Sequence, residues 1–201
     1  THGRPGPVLI DIPKDVQFAT SDYVPAEKAK VAHYQPRTEG DPARIAQLVR
    51  RLQPWSGNLG KRLVKSPKVY VRDSGLVHAL LHIETKENLL SHMVLGASWE
   101  GFCIETLLAC VPAGVTGYFY RTSGGAEIDL LLAWPGGELW AIEIKRSSAP
   151  KVERGFHSAC DDLKPSQKWV VYPGQEAYPL TTDIQAISLH GLCEKLALNR
   201  S

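Results

Sequence analysis

The chain has 201 residues, of which 43% are hydrophobic and 22% charged, and these ordinary values exclude intrinsic disorder as its main state. Lys and Arg number 23 against 21 Asp and Glu, and the resulting net charge of +2 excludes nucleic-acid binding through bulk charge alone. Every apolar run is too short to cross a bilayer, so we expect no membrane segment.

The cysteines and the start of the chain indicate the cellular setting. The four cysteines contain no Cys-x-x-Cys pair and match no zinc-site spacing, so we expect reduced thiols. With no secretory signal in the sequence, this predicts a cytoplasmic protein. The chain begins with Thr1 and its only methionine is Met93, which predicts a piece of a larger or processed product.

The first 47 residues alternate short apolar runs with charged, proline-rich stretches. Val8–Ile12 predicts one buried strand, and a long polar connection follows it. Residues 41–51 predict a helix, with an N-cap aspartate followed by proline. One strand and one helix cannot bury a core, so residues 1–47 are predicted to be an extended appendage and not an independent domain.

From about residue 48 the hydrophobic patterns become denser, and residues 48–201 are predicted to be the folded domain. The predicted elements, in chain order, are a strand at 66–73, helices at 74–83 and 89–111, strands at 118–122, 126–134 and 138–146, a helix at 151–163, strands at 168–172 and 184–188, and a helix at 189–198. This order predicts an α/β fold with a central mixed β-sheet flanked by helices.

The segment AEIDLLLAW–PGG–ELWAIEIKRS predicts a β-hairpin that carries candidate catalytic residues. A turn at Pro135–Gly137 places Asp129 opposite Glu143, and the two-residue period places Lys145 on the face of Glu143. Facing carboxylates repel unless a cation lies between them or one is protonated. Carboxylate oxygens suit Mg²⁺ or Mn²⁺, and a neighbouring lysine can orient water or stabilise a phosphate.

This pattern predicts a site for phosphodiester hydrolysis. The alternative is a solvated hairpin face that carries a surface ion pair. Apolar neighbours on both sides of Asp129 and Glu143 favour inner strands, where charged groups need partners or a function.

Asp129 followed by Glu143-Ile144-Lys145 resembles the short, degenerate D…(D/E)-x-K signature of PD-(D/E)XK nuclease-like folds. Longer segments such as LGKRLVKSPKVYVRDSGLVHALL and LLSHMVLGASWEGFCIETLL resemble the C-terminal domain, of unknown function, in prokaryotic AAA-type ATPases. This resemblance covers about residues 48–197 and implies a restriction-endonuclease-like core. It also implies that Glu100 completes the acidic site. The expected catalytic residues are therefore Glu100, Asp129, Glu143 and Lys145, and the three carboxylates are the expected metal ligands.

Glu105 lies about one and a half helical turns beyond Glu100, so we do not expect it to share the same face. The chain has no G-x-x-x-x-G-K-[ST] motif, so we expect no ATP binding. An ATPase domain on another chain is a candidate partner. The sequence does not indicate the oligomeric state.

Residues 3–17, GRPGPVLIDIPKDVQ, resemble the end of the pyrimidine-binding domain of acetolactate synthase large subunits. The resemblance extends over about the first 47 residues and carries over no catalytic residue. The G-D-G…N motif for diphosphate and Mg²⁺ is absent, so we expect neither thiamine diphosphate nor FAD. We favour a rearranged or misassembled gene as the origin of this junction, with a genuine fusion as the alternative.

Basic residues precede and follow the acidic motif. Lys61, Arg62, Lys65 and Lys68, together with Arg146, are predicted to contact nucleic acid, which would make binding strongly salt-dependent. The alternative is a solvated edge. Three functions therefore stay open: a metal-dependent nuclease-like domain, a non-catalytic DNA- or protein-binding accessory module, and an inactive fragment of acetolactate synthase.

Overall fold

The computed structural model describes residues 42–57 and 63–199. The chain divides into two units, 1–41 and 42–201, and all the described residues belong to the second. The predicted strand at 8–12 and the two basic residues Lys61 and Arg62 lie outside the described residues.

The described elements alternate between helices and strands along the chain. The helices are α1 (Pro42–Leu48), α2 (Ser74–Leu80), α3 (Lys86–Ser91), α4 (Leu95–Cys110), α5 (Arg154–Leu163) and α6 (Leu189–Leu198). The strands are β1 (Val49–Pro54), β2 (Lys68–Val71), β3 (Thr116–Arg121), β4 (Glu127–Ala133), β5 (Leu139–Ile144), β6 (Gln167–Tyr172), β7 (Tyr178–Pro179) and β8 (Gln185–Ser188). Among these helices, none combines the length and the apolar character that crossing a bilayer requires.

The strands form one mixed sheet in the order β2-β1-β3-β4-β5-β6-β8-β7. The pairs β1–β3, β5–β6 and β6–β8 are parallel, and the remaining pairs are antiparallel. The predicted α/β fold with a central mixed sheet and flanking helices is confirmed.

Helices cover both faces of the sheet and bury two clusters of apolar side chains. On one face, α4 contributes Cys103, Ile104 and Leu107 to a core that also includes residues of α6. On the other face, α5 contributes Phe156, Ala159 and Cys160. Within each helix these residues recur at three- and four-residue spacing, which aligns them on one face. Burial of each large side chain contributes roughly 1.5–3 kcal/mol to folding.

Two sequence predictions were wrong in their bounds. The helix predicted over 41–51 ends at Leu48, because Val49–Pro54 forms a strand that pairs with β2 and β3. The single helix predicted over 89–111 is divided into α3 and α4, and His92 between them has an extended backbone. Residues 49–51 form a strand because they pair with β2, which is distant in sequence. The local hydrophobic periodicity does not indicate such pairing.

Candidate functional site

The pairing of strand β4 with β3 shifts register next to Asp129. Two residues of β4, Asp129 and Leu130, lie opposite the single residue Phe119 of β3, which makes a β-bulge. Bulges bend a strand and re-aim its side chains. On the other side, the pairing of β4 with β5 runs up to Leu130 and Ile142 and ends there. Asp129 therefore lies where β4 separates from β5.

The predicted hairpin register is confirmed. The backbone of Trp134 pairs with that of Glu138 at the turn, and the paired residues of β4 and β5, from Ala133 with Leu139 to Leu130 with Ile142, keep this register. Beyond the last pair, Oδ2 of Asp129 accepts a hydrogen bond from the backbone N–H of Ile144 at 3.0 Å. The side chain of Asp129 thus satisfies a backbone donor of β5 and is held in a fixed orientation.

A cavity of about 340 Å³ opens at this separation of the strands. Its lining includes all four residues predicted to be catalytic, which are Glu100, Asp129, Glu143 and Lys145. Three charged residues that were not predicted for this site also line it, and they are Lys68, Glu127 and Glu153. The cavity therefore combines five carboxylates with two lysines.

Lys68, on the edge strand β2, is bound to three of these carboxylates. Its Nζ lies 3.0 Å from Glu100, 3.0 Å from Glu127 and 3.4 Å from Asp129. The hydroxyl of Tyr70 donates to the same oxygen of Glu100 at 2.5 Å. Burial alone would lower the pKa of Lys68, but the charges of Asp129 and Glu100 raise it above its usual value, so the ammonium stays charged.

Lys145 is bound to the two remaining carboxylates of the cavity. Its Nζ lies 2.8 Å from Glu143 and 2.6 Å from Glu153. Burial opposes the charge on Lys145, and hydrogen bonds to both glutamates raise its pKa. The prediction that Lys145 shares a face with Glu143 is confirmed.

Helix α4 brings Glu100 to the cavity by approaching β2 closely. A side chain at Gly101 would place its Cβ 3.1 Å from a ring carbon of Tyr70, so glycine allows the close contact. Glu105 instead binds Arg50 and, at 3.3 Å, Arg72. Glu105 is not among the residues that line the cavity, and its placement on a different helix face from Glu100 stays a prediction.

The half-buried carboxyl of Asp129 and the buried carboxyl of Glu143 carry raised pKa values. Burial, together with the charge of Glu100, raises the pKa of Asp129 to about 6, although Lys68 acts in the opposite direction. Burial and the charge of Asp129 raise the pKa of Glu143 to about 7, although Lys145 opposes this. Ionised Asp129 and Glu143 are therefore unfavourable in the cavity, and a further cation would stabilise them.

The carboxylate oxygens of the cavity are of the type that binds a divalent cation, but their present positions are not those of a metal site. Carboxylate oxygens are the ligands that Mg²⁺ and Mn²⁺ prefer. Within residues 42–57 and 63–199, no three Asp, Glu, His or Cys side chains are placed to hold a metal ion as they stand. The ammonium of Lys68 lies between Glu100, Glu127 and Asp129, so a divalent ion would have to displace it to reach these oxygens.

The residues predicted to contact nucleic acid are dispersed. Lys65 and Arg146 are exposed and do not line the cavity. Lys68 is turned into the carboxylate cluster, where its ammonium is bound. The role of these residues in nucleic-acid contact stays a prediction.

Residues that line this cavity lie within matches to two family models of unknown function. Residues 95–192 match the family model Domain of unknown function (DUF4143). The DUF4143 match contains Glu100, Asp129, Glu143 and Lys145. Residues 44–87 match a second model, Domain of unknown function (DUF8612), and Lys68 lies in that part. The cavity is therefore built from residues of both matches.

Two uncharacterized mycobacterial proteins, one from Mycobacterium tuberculosis and one from Mycobacterium bovis, are 40% identical to this chain. Each match runs over 162 residues, which is 81% of this chain and 36% of the relative. The chain thus spans about a third of the length of these relatives. No solved structure matches it significantly.

The similarity to acetolactate synthase is partial. The enzyme of Arthrospira platensis is 39% identical over 87 residues, which is 42% of this chain and 13% of the enzyme. The large subunit of Corynebacterium glutamicum is 37% identical over 84 residues, which is 42% of this chain and 12% of the subunit. These matches are longer than the 47 residues predicted, but each covers a small part of the enzyme.

Proposed function

We propose that residues 48–201 are a nuclease-like domain of the PD-(D/E)XK type that hydrolyses phosphodiester bonds with a divalent cation. The observation that carries the proposal is the position of Asp129, which is fixed by the Ile144 amide and shares one cavity with Glu143 and Lys145. The shared cavity of Asp129, Glu143 and Lys145 supports reading these residues as a D…(D/E)-x-K signature.

Each residue has a distinct role in this proposal. Asp129, Glu143 and Glu100 hold the Mg²⁺ or Mn²⁺ ion through their carboxylate oxygens. A divalent cation held there would supply positive charge beside the phosphate and would lower the pKa of a water molecule. Lys145, whose Nζ already lies 2.8 Å from Glu143, orients the attacking water and stabilises the developing negative charge on the phosphate.

The proposed setting is an assembly with an ATPase. DUF4143 is a domain typically found with ATPases, and this chain spans 36% of its mycobacterial relatives. We therefore propose that an ATPase domain outside this sequence acts with the nuclease-like domain. The similarity to acetolactate synthase adds no catalytic residue to this assembly.

The test is a cleavage assay with the full chain on single-stranded and duplex DNA and on RNA, with Mn²⁺ added. We expect cleavage by the wild type, loss of cleavage in Asp129→Asn, and wild-type rates in Asp161→Asn, which removes an exposed carboxylate from α5. Equal rates in the wild type and Asp129→Asn, or no cleavage of any of these substrates by the wild type, would contradict the proposal.

A second candidate function is a non-catalytic module that binds DNA or a partner protein. The specific observation in its favour is that lysines already neutralise the cluster, since Lys68 and Lys145 together bind all five carboxylates. DNA binding that weakens with salt and is indifferent to Mn²⁺ and to Asp129→Asn would favour this candidate.

A further inference from the structure

The ammonium of Lys68 lies among three carboxylates of the cluster. An ammonium group has three N–H donors, and three carboxylates, those of Glu100, Glu127 and Asp129, lie 3.0–3.4 Å from Nζ. The side chain of Lys68 is 21% exposed. The number of carboxylates within reach of the ammonium therefore equals the number of its donors.

The surrounding structure holds Lys68 in this place. β2 pairs with β1 in an antiparallel register that sets Lys68 opposite Leu52. Nζ also lies 5.6 Å from the centre of the Phe119 ring, at cation–π distance. Tyr70, two residues further along the same strand, points to the same side and donates to Glu100. Strand pairing, an aromatic face and the carboxylates together fix the ammonium.

We propose that Lys68 is a built-in counter-cation that competes with the divalent ion for Glu100 and Asp129. This inference rests on the proposed metal-dependent function. The ammonium stabilises the carboxylates when no metal ion is bound, and it must leave them when one binds. Lys68 thereby sets a threshold, so that only a sufficient concentration of divalent cation converts the cluster from an ion-paired state to a metal-loaded state.

The first test is Mn²⁺ titration calorimetry at pH 8 with the full chain. Lys68→Met keeps the length of the side chain and removes its charge, so we expect Mn²⁺ to bind at least about tenfold more tightly than to the wild type. Lys68→Gln provides a second, polar variant. Lys168→Met is the matched control, because Lys168 pairs with Asp183 outside the cavity, and it should leave Mn²⁺ affinity unchanged.

Thermal unfolding without metal gives an independent readout. Lys68→Met and Lys68→Gln leave three carboxylates without their counter-cation, so both should unfold at a lower temperature than the wild type. Added Mn²⁺ should raise their unfolding temperatures more than that of the wild type.

The outcomes separate this inference from the proposed function. Wild-type binding with equal or weaker binding in both folded Lys68 variants would overturn the role of Lys68 and leave the metal site standing. No Mn²⁺ binding by the wild type or by either variant, with all of them folded, would overturn both proposals. Tighter binding in the variants, lost again when Asp129→Asn is added, supports both.

Discussion

The carboxylate of Asp129 on β4 accepts a hydrogen bond from the backbone amide of Ile144 on β5, at 3.0 Å, just beyond the last paired residues of the two strands. This bond couples the side chain of Asp129, which lines the cavity, to the strand that carries Glu143. It fixes one oxygen of Asp129, while the other lies 3.4 Å from Lys68. The bulge in β4 and the end of its pairing with β5 are thus the features that create the site.

Replacement of Lys145 by alanine should separate chemistry from metal binding. Lys145 binds Glu143 and Glu153, and it is not one of the proposed metal ligands, which are all carboxylates. We expect Lys145→Ala to reduce Mn²⁺-dependent cleavage by about 10²-fold or more while Mn²⁺ still binds in calorimetry. Lys168→Ala, which removes a lysine paired with Asp183 elsewhere, should cleave at the wild-type rate. Undiminished cleavage by Lys145→Ala would remove this residue from the mechanism.

The stability of the metal-free protein should fall as the pH rises from 5 to 8. Burial and Asp129 raise the pKa of Glu143 to about 7 from the ordinary 4.5, so ionisation of Glu143 costs more in the folded state than in the unfolded chain. A carboxyl with a raised pKa stabilises the fold below its ordinary pKa, and that contribution is lost as the pH rises through the folded value.

Urea unfolding of the wild type and Glu143→Gln at pH 5 and pH 8 measures this cost. The glutamine cannot ionise, so the free energy of unfolding of Glu143→Gln should decrease less between the two pH values than that of the wild type. Equal decreases in the two proteins would show that Glu143 does not titrate in this range.

Gly155 at the start of α5 allows a close backbone approach beside the cavity. An alanine Cβ there would lie 2.7 Å from the carbonyl oxygen of Gly125, so one of the two backbone segments must move. We expect Gly155→Ala to destabilise the fold by about 1–3 kcal/mol and to weaken Mn²⁺ binding, since both glycines line the cavity. Gly136→Ala is the matched control, because nothing lies within 4 Å of its Cβ position. Equal unfolding free energies in the two variants would contradict the predicted contact.

The hairpin could be predicted from the sequence because its register is local. The Pro-Gly-Gly turn and the two-residue period of the flanking strands relate Asp129, Glu143 and Lys145 without further information. Glu100 could be assigned through the family resemblance and not through spacing, since its approach depends on how α4 packs against β2.

The rest of the cluster depends on long-range pairing that periodicity does not report. Lys68 reaches the cavity because β2 pairs with β1, and β1 pairs in parallel with β3. Residues 49–51 of β1 were predicted as the end of a helix. Without β1 in the predicted sheet, the position of β2 beside the site could not be predicted. Glu127 could have been predicted for the site, since it precedes Asp129 by two residues on the same strand. Glu153 could not, because its position depends on where α5 begins.

The most direct test of the acidic site is Mn²⁺ titration calorimetry on the full chain, with the wild type beside Asp129→Asn and Asp161→Asn. Asparagine keeps an oxygen that can accept from the Ile144 amide and removes the charge, so the fold should persist. The account predicts saturable binding in the wild type and in Asp161→Asn, and its loss in Asp129→Asn. Binding that is unchanged in Asp129→Asn, or no binding to a folded wild type, would contradict it.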